Sequence, residues 1–297
     1  MNGLGTIVTA MITPFDDRGE VNLPEAKRIA RWLVDRGNDG LVVAGSTGEG
    51  MTLDSQERAN LFSAVKEAVD GRAAVIANVG TSDTRSSVRA AHEAQAAGAD
   101  ALLVVIPPYS KPPQRGMSAH FGAVADAVPL PLVVYNIPGR TGANMLPETL
   151  LALASRHRNV AGVKESSGDM DQIATIVRDR SDGFVVWSGD DYLFLPALAV
   201  GADGVVGVAS HLCSREYRTM YDAYRRGDVK TAASLHRSLL ALMNALFTVS
   251  NPIPVKWAMN QLGFAAGNCR VPLCELPEDA AERLRPLIAP YRESKEA

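Results

Sequence analysis

The chain reads as an α/β protein, a (β/α)8 TIM barrel with a C-terminal helical appendage. Three observations predict this. Eight short, largely β-branched runs recur before residue 210, with helix-patterned stretches between them. Most of the runs are apolar without alternation, as strands are when both faces of a parallel sheet are covered. No nucleotide-binding glycine fingerprint follows the first run, which favours a closed barrel over an open doubly wound sheet.

In order, strands are expected at residues 6–11, 41–44, 74–78, 101–106, 132–136, 160–164, 184–188 and 204–208. Stretches such as 54–70 and 84–97 are rich in Ala, Glu, Arg and Gln, with apolar residues at helical spacing. Asp54 followed three residues later by Glu57 is a helix-capping pair. Strands alternating with helices imply a parallel sheet. Past residue 210 the β pattern stops, and residues 211–297 read as helices only, broken at Asn251-Pro252-Ile253-Pro254. The expected division is residues 1–224 for the barrel and its active site and residues 225–297 for a helical region outside it or between subunits.

Composition narrows the function. With 297 residues, 46% of them hydrophobic, the chain can bury one large core. A net charge of −3 and a pI near 6.0 give no electrostatic footprint for nucleic acid, and no basic run suggests an anionic membrane. The first positive side chain is Arg18, so the N-terminal segment lacks the basic start of a secretory signal. The apolar stretches 101–106 and 238–248 are too short for a membrane span. A cytoplasmic protein is expected. Cys213, Cys269 and Cys274 form no C-x-x-C pair, which points to reduced thiols. The five histidines show no metal spacing, and the zinc-like start His92-Glu93 fails because Ala96 stands where the second histidine belongs. No metal is expected.

Of the seven lysines, only Lys164 ends an apolar, strand-like run. Barrels of this kind place their chemistry at strand C-termini. An amine there attacks ketones once its pKa falls from about 10.4 toward neutrality, through desolvation or nearby positive charge. The plain alternative is a surface lysine at a strand end. Other strand ends supply fitting partners. Gly45–Gly50 offers backbone N–H groups and two hydroxyls suited to a small carboxylate, or an ordinary glycine turn that caps a helix. Prolines around Tyr109 hold it outward toward a partner, or simply stiffen a connection. Tyr135 ends strand five at the axial level of Lys164, and Arg140 follows; Tyr135 also fits as a core aromatic. Ser188-Gly189-Asp190-Asp191 reads as a helix start. Together these groups provide an imine-forming amine, proton carriers and a carboxylate clamp, the parts that imine chemistry on a 2-oxo acid requires.

These residues also carry a resemblance. The segments G-S-T-G-E at 45–49, Y-S-K-P-P-Q at 109–114, Y-N-I-P-G-R-T-G at 135–142 and G-V-K-E-S-S-G-D at 162–169 resemble the dihydrodipicolinate synthase family. That family lies within the pyruvate-dependent class I aldolases, which include N-acetylneuraminate lyase. S-G-D-D at 188–191, G-V-V-G-V at 204–208 and N-P-I-P-V-K-W-A at 251–258 continue the match in the same order over nearly the whole chain. The resemblance implies that Lys164 is the Schiff-base lysine and Tyr135 the proton donor and acceptor above it. Ser46 and Tyr109 would complete a hydroxyl relay, with Tyr109 reaching into a neighbouring subunit's site. Thr47 and Val206 would contact pyruvate, Gly189 would bind substrate, and Arg140 would hold the second substrate's carboxylate.

Two positions depart from the family pattern. Ser46 stands where the synthases usually carry threonine, which keeps the hydroxyl, and Pro108 stands where many have a second tyrosine. The implied reaction joins pyruvate to L-aspartate 4-semialdehyde through a covalent imine on Lys164, with no cofactor, in a homotetramer built as a dimer of dimers. The runner-up is a sister aldolase or dehydratase acting on a 2-keto-3-deoxy sugar acid, 4-hydroxy-2-oxoglutarate or N-acetylneuraminate. A third reading is a barrel that binds a keto acid without turnover. In lysine-sensitive relatives an effector site lies at the dimer interface, and Ser55, Arg58, Ser82 and Ser86 align with its lining. Ser86 replaces a glutamate there, so insensitivity to free lysine is expected.

Overall fold

The computed structural model describes residues 3–292; residues 1–2 and 293–297, which end the two expected regions and include Lys295, lie outside the described residues. Eight parallel strands close in chain order: β1 (Ile7–Ala10), β2 (Gly40–Val43), β3 (Ala74–Asn78), β4 (Ala101–Val105), β5 (Leu132–Asn136), β6 (Val160–Glu165), β7 (Val185–Ser188) and β8 (Gly204–Gly207). β8 pairs back onto β1 through Val8↔Val206. All eight expected strands are present. β6 runs one residue further than expected because Glu165 still pairs with Ser188 of β7, so Lys164 is its penultimate residue.

Strand alternation separates two apolar layers. Val8, Val42, Ile76, Leu103, Val133, Tyr135, Trp187 and Val206 fill the barrel interior. Their outward neighbours, such as Ile7, Leu41, Val75 and Val134, pack beneath the helices. The interior is therefore a packed core, with the strand ends as its open mouth.

The helices follow the same logic. They are α1 (Leu23–Asp35), α2 (Ser55–Val69), α3 (Thr84–Ala96), α4 (Gln114–Ala127), the short α5 (Pro138–Thr141), α6 (Pro147–Arg156), α7 (Met170–Asp179), α8 (Phe194–Ala199) and α9 (Ser210–Arg225). The expected cap of α2 is formed: Asp54 accepts from the Glu57 N–H at 2.8 Å and Glu57 accepts from the Asp54 N–H at 2.9 Å. Asn22 and Asp169 likewise accept N–H bonds at the starts of α1 and α7.

The C-terminal region holds α10 (Val229–Ala245), α11 (Ile253–Gln261) and α12 (Glu278–Ile288). The expectation of helices alone fails over residues 262–277, which contain no helix. Gly263 and Gly267 take φ +87° and +69°, a left-handed conformation that ends helices, and Pro272 and Pro277 lack the N–H a helix needs. The segment's backbone bonds the barrel instead. The Ala265 N–H donates to Glu25 at 2.7 Å, the Arg270 N–H to Glu49 at 2.8 Å, and the Ala266 carbonyl accepts from the Phe15 N–H at 3.1 Å. Among the described residues no helix is long and apolar enough to cross a membrane.

Candidate active site

Lys164 and Tyr135 sit opposite one another in the β5–β6 register, and both point into the barrel mouth. Lys164 is 4% exposed and Tyr135 5%, and the Lys164 Nζ lies 4.3 Å from the centre of the tyrosine ring. Lys164 takes part in no ion pair among the described residues. Lys256, the other deeply buried lysine, is engaged: its Nζ donates to Glu49 at 2.7 Å and to the Asn268 carbonyl at 2.9 Å. Burial pushes the Lys256 pKa below the ordinary lysine value, opposed by the Glu49 charge that pulls it up.

The β2 loop is tight. Ala44 and Glu49 adopt φ +55° and +51°, costly for residues with a side chain. A Cβ on Gly50 would stand 1.9 Å from the Ala44 carbonyl oxygen, so only glycine fits. Glu49, fully buried, anchors the loop from below through Lys256 and the Arg270 N–H. The strain thus presents Ser46, half-buried, and Thr47, buried, at the mouth.

A cavity of about 510 Å³ brings Ser46, Tyr135 and Arg140 together with Asn78, Arg58 and Ser82. No carboxylate lines it. Thr47, Gly189 and Lys164 are not among its lining residues; Thr47 follows Ser46 in the chain, and Lys164 lies against the ring of Tyr135. Val206 is fully buried in the barrel interior. Gly189 meets Lys164 closely: a Cβ there would fall 2.9 Å from Lys164 Cε and 1.8 Å from Ser166 Oγ. Tyr109 does not join the group. It is 96% exposed, adopts φ +72°, and lies outside the cavity of its own chain.

Several residues at the mouth were not singled out from sequence. Asn251 donates to Thr47 Oγ1 at 2.9 Å, and its carbonyl accepts from Arg140 Nη2 at 3.2 Å, so it bridges the two ends of the site. Its only sequence signal was the N-P-I-P break. Ser166 Oγ is buried with no hydrogen-bond partner. Asp190, read as a helix start, is half-buried, and burial raises its carboxyl to about 6, with Lys164 pulling the other way. Asp191 is structural, accepting from the Val208 and Ala209 N–H groups at 3.0 and 3.1 Å and from the Tyr217 hydroxyl at 2.8 Å. Among the described residues no group of three or more His, Cys, Asp or Glu could hold a metal ion.

The chain and its fold are shared with known proteins. Residues 3–290 match the model of the dihydrodipicolinate synthetase family. A 4-hydroxy-tetrahydrodipicolinate synthase of Parasynechococcus marenigrum is 48% identical over 98% of this chain and 96% of that protein. The crystal structure of dihydrodipicolinate synthase DapA-2 from Bacillus anthracis superposes with a TM-score of 0.94 at 39% identity, covering 97% of this chain and 98% of that one. The enzyme from Cyanidioschyzon merolae, solved with lysine bound, gives a TM-score of 0.94 at 42% identity over 95% and 96% of the two chains.

Proposed function

The chain belongs to the dihydrodipicolinate synthetase family, and we propose that it joins pyruvate to L-aspartate 4-semialdehyde through an imine on Lys164, yielding 4-hydroxy-tetrahydrodipicolinate for lysine and diaminopimelate biosynthesis. The observation that carries the reading is the buried Tyr135–Lys164 pair, in register and beside a cavity that also holds Ser46 and Arg140.

The Lys164 amine adds to the pyruvate ketone, and the carbinolamine loses water once its hydroxyl is protonated. Loss of a methyl proton then gives an enamine. Its carbon attacks the aldehyde, whose oxygen takes up a proton. The substrate's own amine adds to the imine carbon and displaces Lys164, which closes the ring. Each proton needs a carrier beside the imine, and the Tyr135 hydroxyl fills that role. Ser46 extends the relay, and Thr47 and Val206 bound the pyruvate end. Gly189 leaves room for the lysine chain. Tyr109, exposed and held outward, serves the site of a neighbouring subunit in a homotetramer. The substrates are small and soluble, and the reaction is set in the cytoplasm.

Arg140 selects the second substrate. A guanidinium forks onto a carboxylate while also donating to the Asn251 carbonyl; a lysine ammonium cannot span both. Arg140→Lys should raise the Michaelis constant for aspartate semialdehyde about tenfold or more, the scale of one lost charge-assisted bond. The constant for pyruvate should stay within about twofold. Steady-state kinetics on both substrates, beside a panel of keto-deoxy acids, checks this: equal effects on both would favour a sister aldolase.

The enzyme should also be insensitive to free L-lysine. Arg58 and Ser82 line the same cavity as Arg140, with no carboxylate to receive a second ammonium. Ser86 offers a hydroxyl, already accepting from Arg89 at 3.3 Å, in place of a counter-charge. A missing charge-assisted contact weakens binding roughly tenfold or more. Activity at saturating pyruvate should stay flat as lysine is titrated into the millimolar range; clear partial inhibition would show that the effector is received elsewhere.

A further inference from the structure

Behind the imine-forming pair lies a second pair. Asn136 and Glu165 follow Tyr135 and Lys164 in the chain and face each other in the same register. Strand alternation turns them outward, into the layer between barrel and helices. Each is 1% exposed. The Glu165 carboxylate accepts from Asn136 Nδ2 at 3.1 and 3.0 Å, from Gln172 Nε2 at 2.9 Å and from the Ser167 N–H at 2.8 Å. No cation pairs with it among the described residues, and burial pushes its carboxyl up.

The bonds run on into the loop that carries Arg140. Asn136 Nδ2 also donates to Asn144 Oδ1 at 2.7 Å, and Asn136 Oδ1 accepts from the Met145 N–H at 3.1 Å. Asn144 Nδ2 donates to Gln172 Oε1 at 2.9 Å. Gln114 closes the far side, donating to the Asn144 carbonyl at 2.7 Å and accepting from the Leu146 N–H at 3.1 Å. Residues 137–146 are thus fixed at their C-terminal end by the same side chains that join β5 to β6.

A buried carboxylate with no cation is costly, and an apolar pair would fill the same space more cheaply. A fully bonded polar network gives rigidity and a single geometry in return. We propose that Asn136 and Glu165 are positioning residues for the reaction. They hold the ends of β5 and β6 so that Tyr135 stays over Lys164, and they couple that pair to the loop of Arg140. The inference rests on Lys164 being the imine-forming residue.

The test uses the full-length enzyme. Glu165→Gln keeps the shape but turns one accepting oxygen into a donor that faces other donors. Turnover and the rate of borohydride-trapped imine formation with pyruvate alone should each fall about 10- to 100-fold, the scale of a small misplacement of reacting groups. The pyruvate Michaelis constant should move less than about threefold, and the folded fraction by circular dichroism should be unchanged. Asn144→Ala removes the loop's side-chain bonds to Asn136 and Gln172 and keeps the bonds between Asn136 and Glu165. It should raise the Michaelis constant for aspartate semialdehyde at least about fivefold while imine formation stays normal. This second variant decides the matter if Glu165→Gln fails to fold. A folded Glu165→Gln enzyme with wild-type turnover and imine rate, or an Asn144→Ala enzyme with unchanged constants, would overturn the proposal. A wild-type enzyme that traps no pyruvate on Lys164 would instead overturn the reaction assignment.

Discussion

Lys164→Met should reduce turnover more than about 10⁴-fold, because removing a covalent nucleophile removes the pathway and not one contact within it. The same change should leave the melting temperature unchanged or higher. Lys164 is 4% exposed and has no carboxylate in an ion pair, so its amine is carried at a desolvation cost that methionine relieves at similar volume. High activity loss with undiminished stability marks a residue kept for chemistry. A coupled assay beside a thermal melt reads both quantities. More than about 1% residual activity would move the nucleophile elsewhere.

Tyr135→Phe should cost about 10²–10⁴-fold in turnover, the usual worth of a placed general acid–base group. The ring is kept, and with it the packing against the barrel interior and the 4.3 Å contact with Lys164 Nζ. The loss should therefore fall on turnover with little change in either Michaelis constant. If the variant keeps more than about half its activity, another group carries the protons, and Asp190, raised to about 6 beside Lys164, is the next to examine.

The fold was legible because each strand signals itself locally. Short continuous apolar runs such as residues 101–105, repeated between helix-patterned stretches, read as strands buried on both faces of a parallel barrel. Once the barrel is drawn, strand parity turns Lys164 and Tyr135 inward together, as the observed register has them. The same parity turns Asn136 and Glu165 outward, so their place was open to reading even though their partners Asn144 and Gln172 were not. Contacts made across the chain were beyond reach. Asn251 meets Thr47, and Lys256 meets Glu49, over 204 and 207 residues, with nothing local in either segment to announce the pairing. Residues 262–277 misled for the same reason: three of their backbone bonds go to Glu25, Glu49 and Phe15, all far away in sequence.

The central claim is that pyruvate forms its imine on Lys164, and reductive trapping tests it most directly. Borohydride added to enzyme and pyruvate should leave one pyruvate-derived adduct, found by mass spectrometry of peptides on Lys164. Lys256 is the informative control, since it too is buried and burial pushes its own pKa below the ordinary lysine value. Its Nζ is committed to Glu49 and to the Asn268 carbonyl, so it should stay unmodified. An adduct on Lys256, or no adduct on Lys164 under conditions that inactivate the enzyme, would contradict the account.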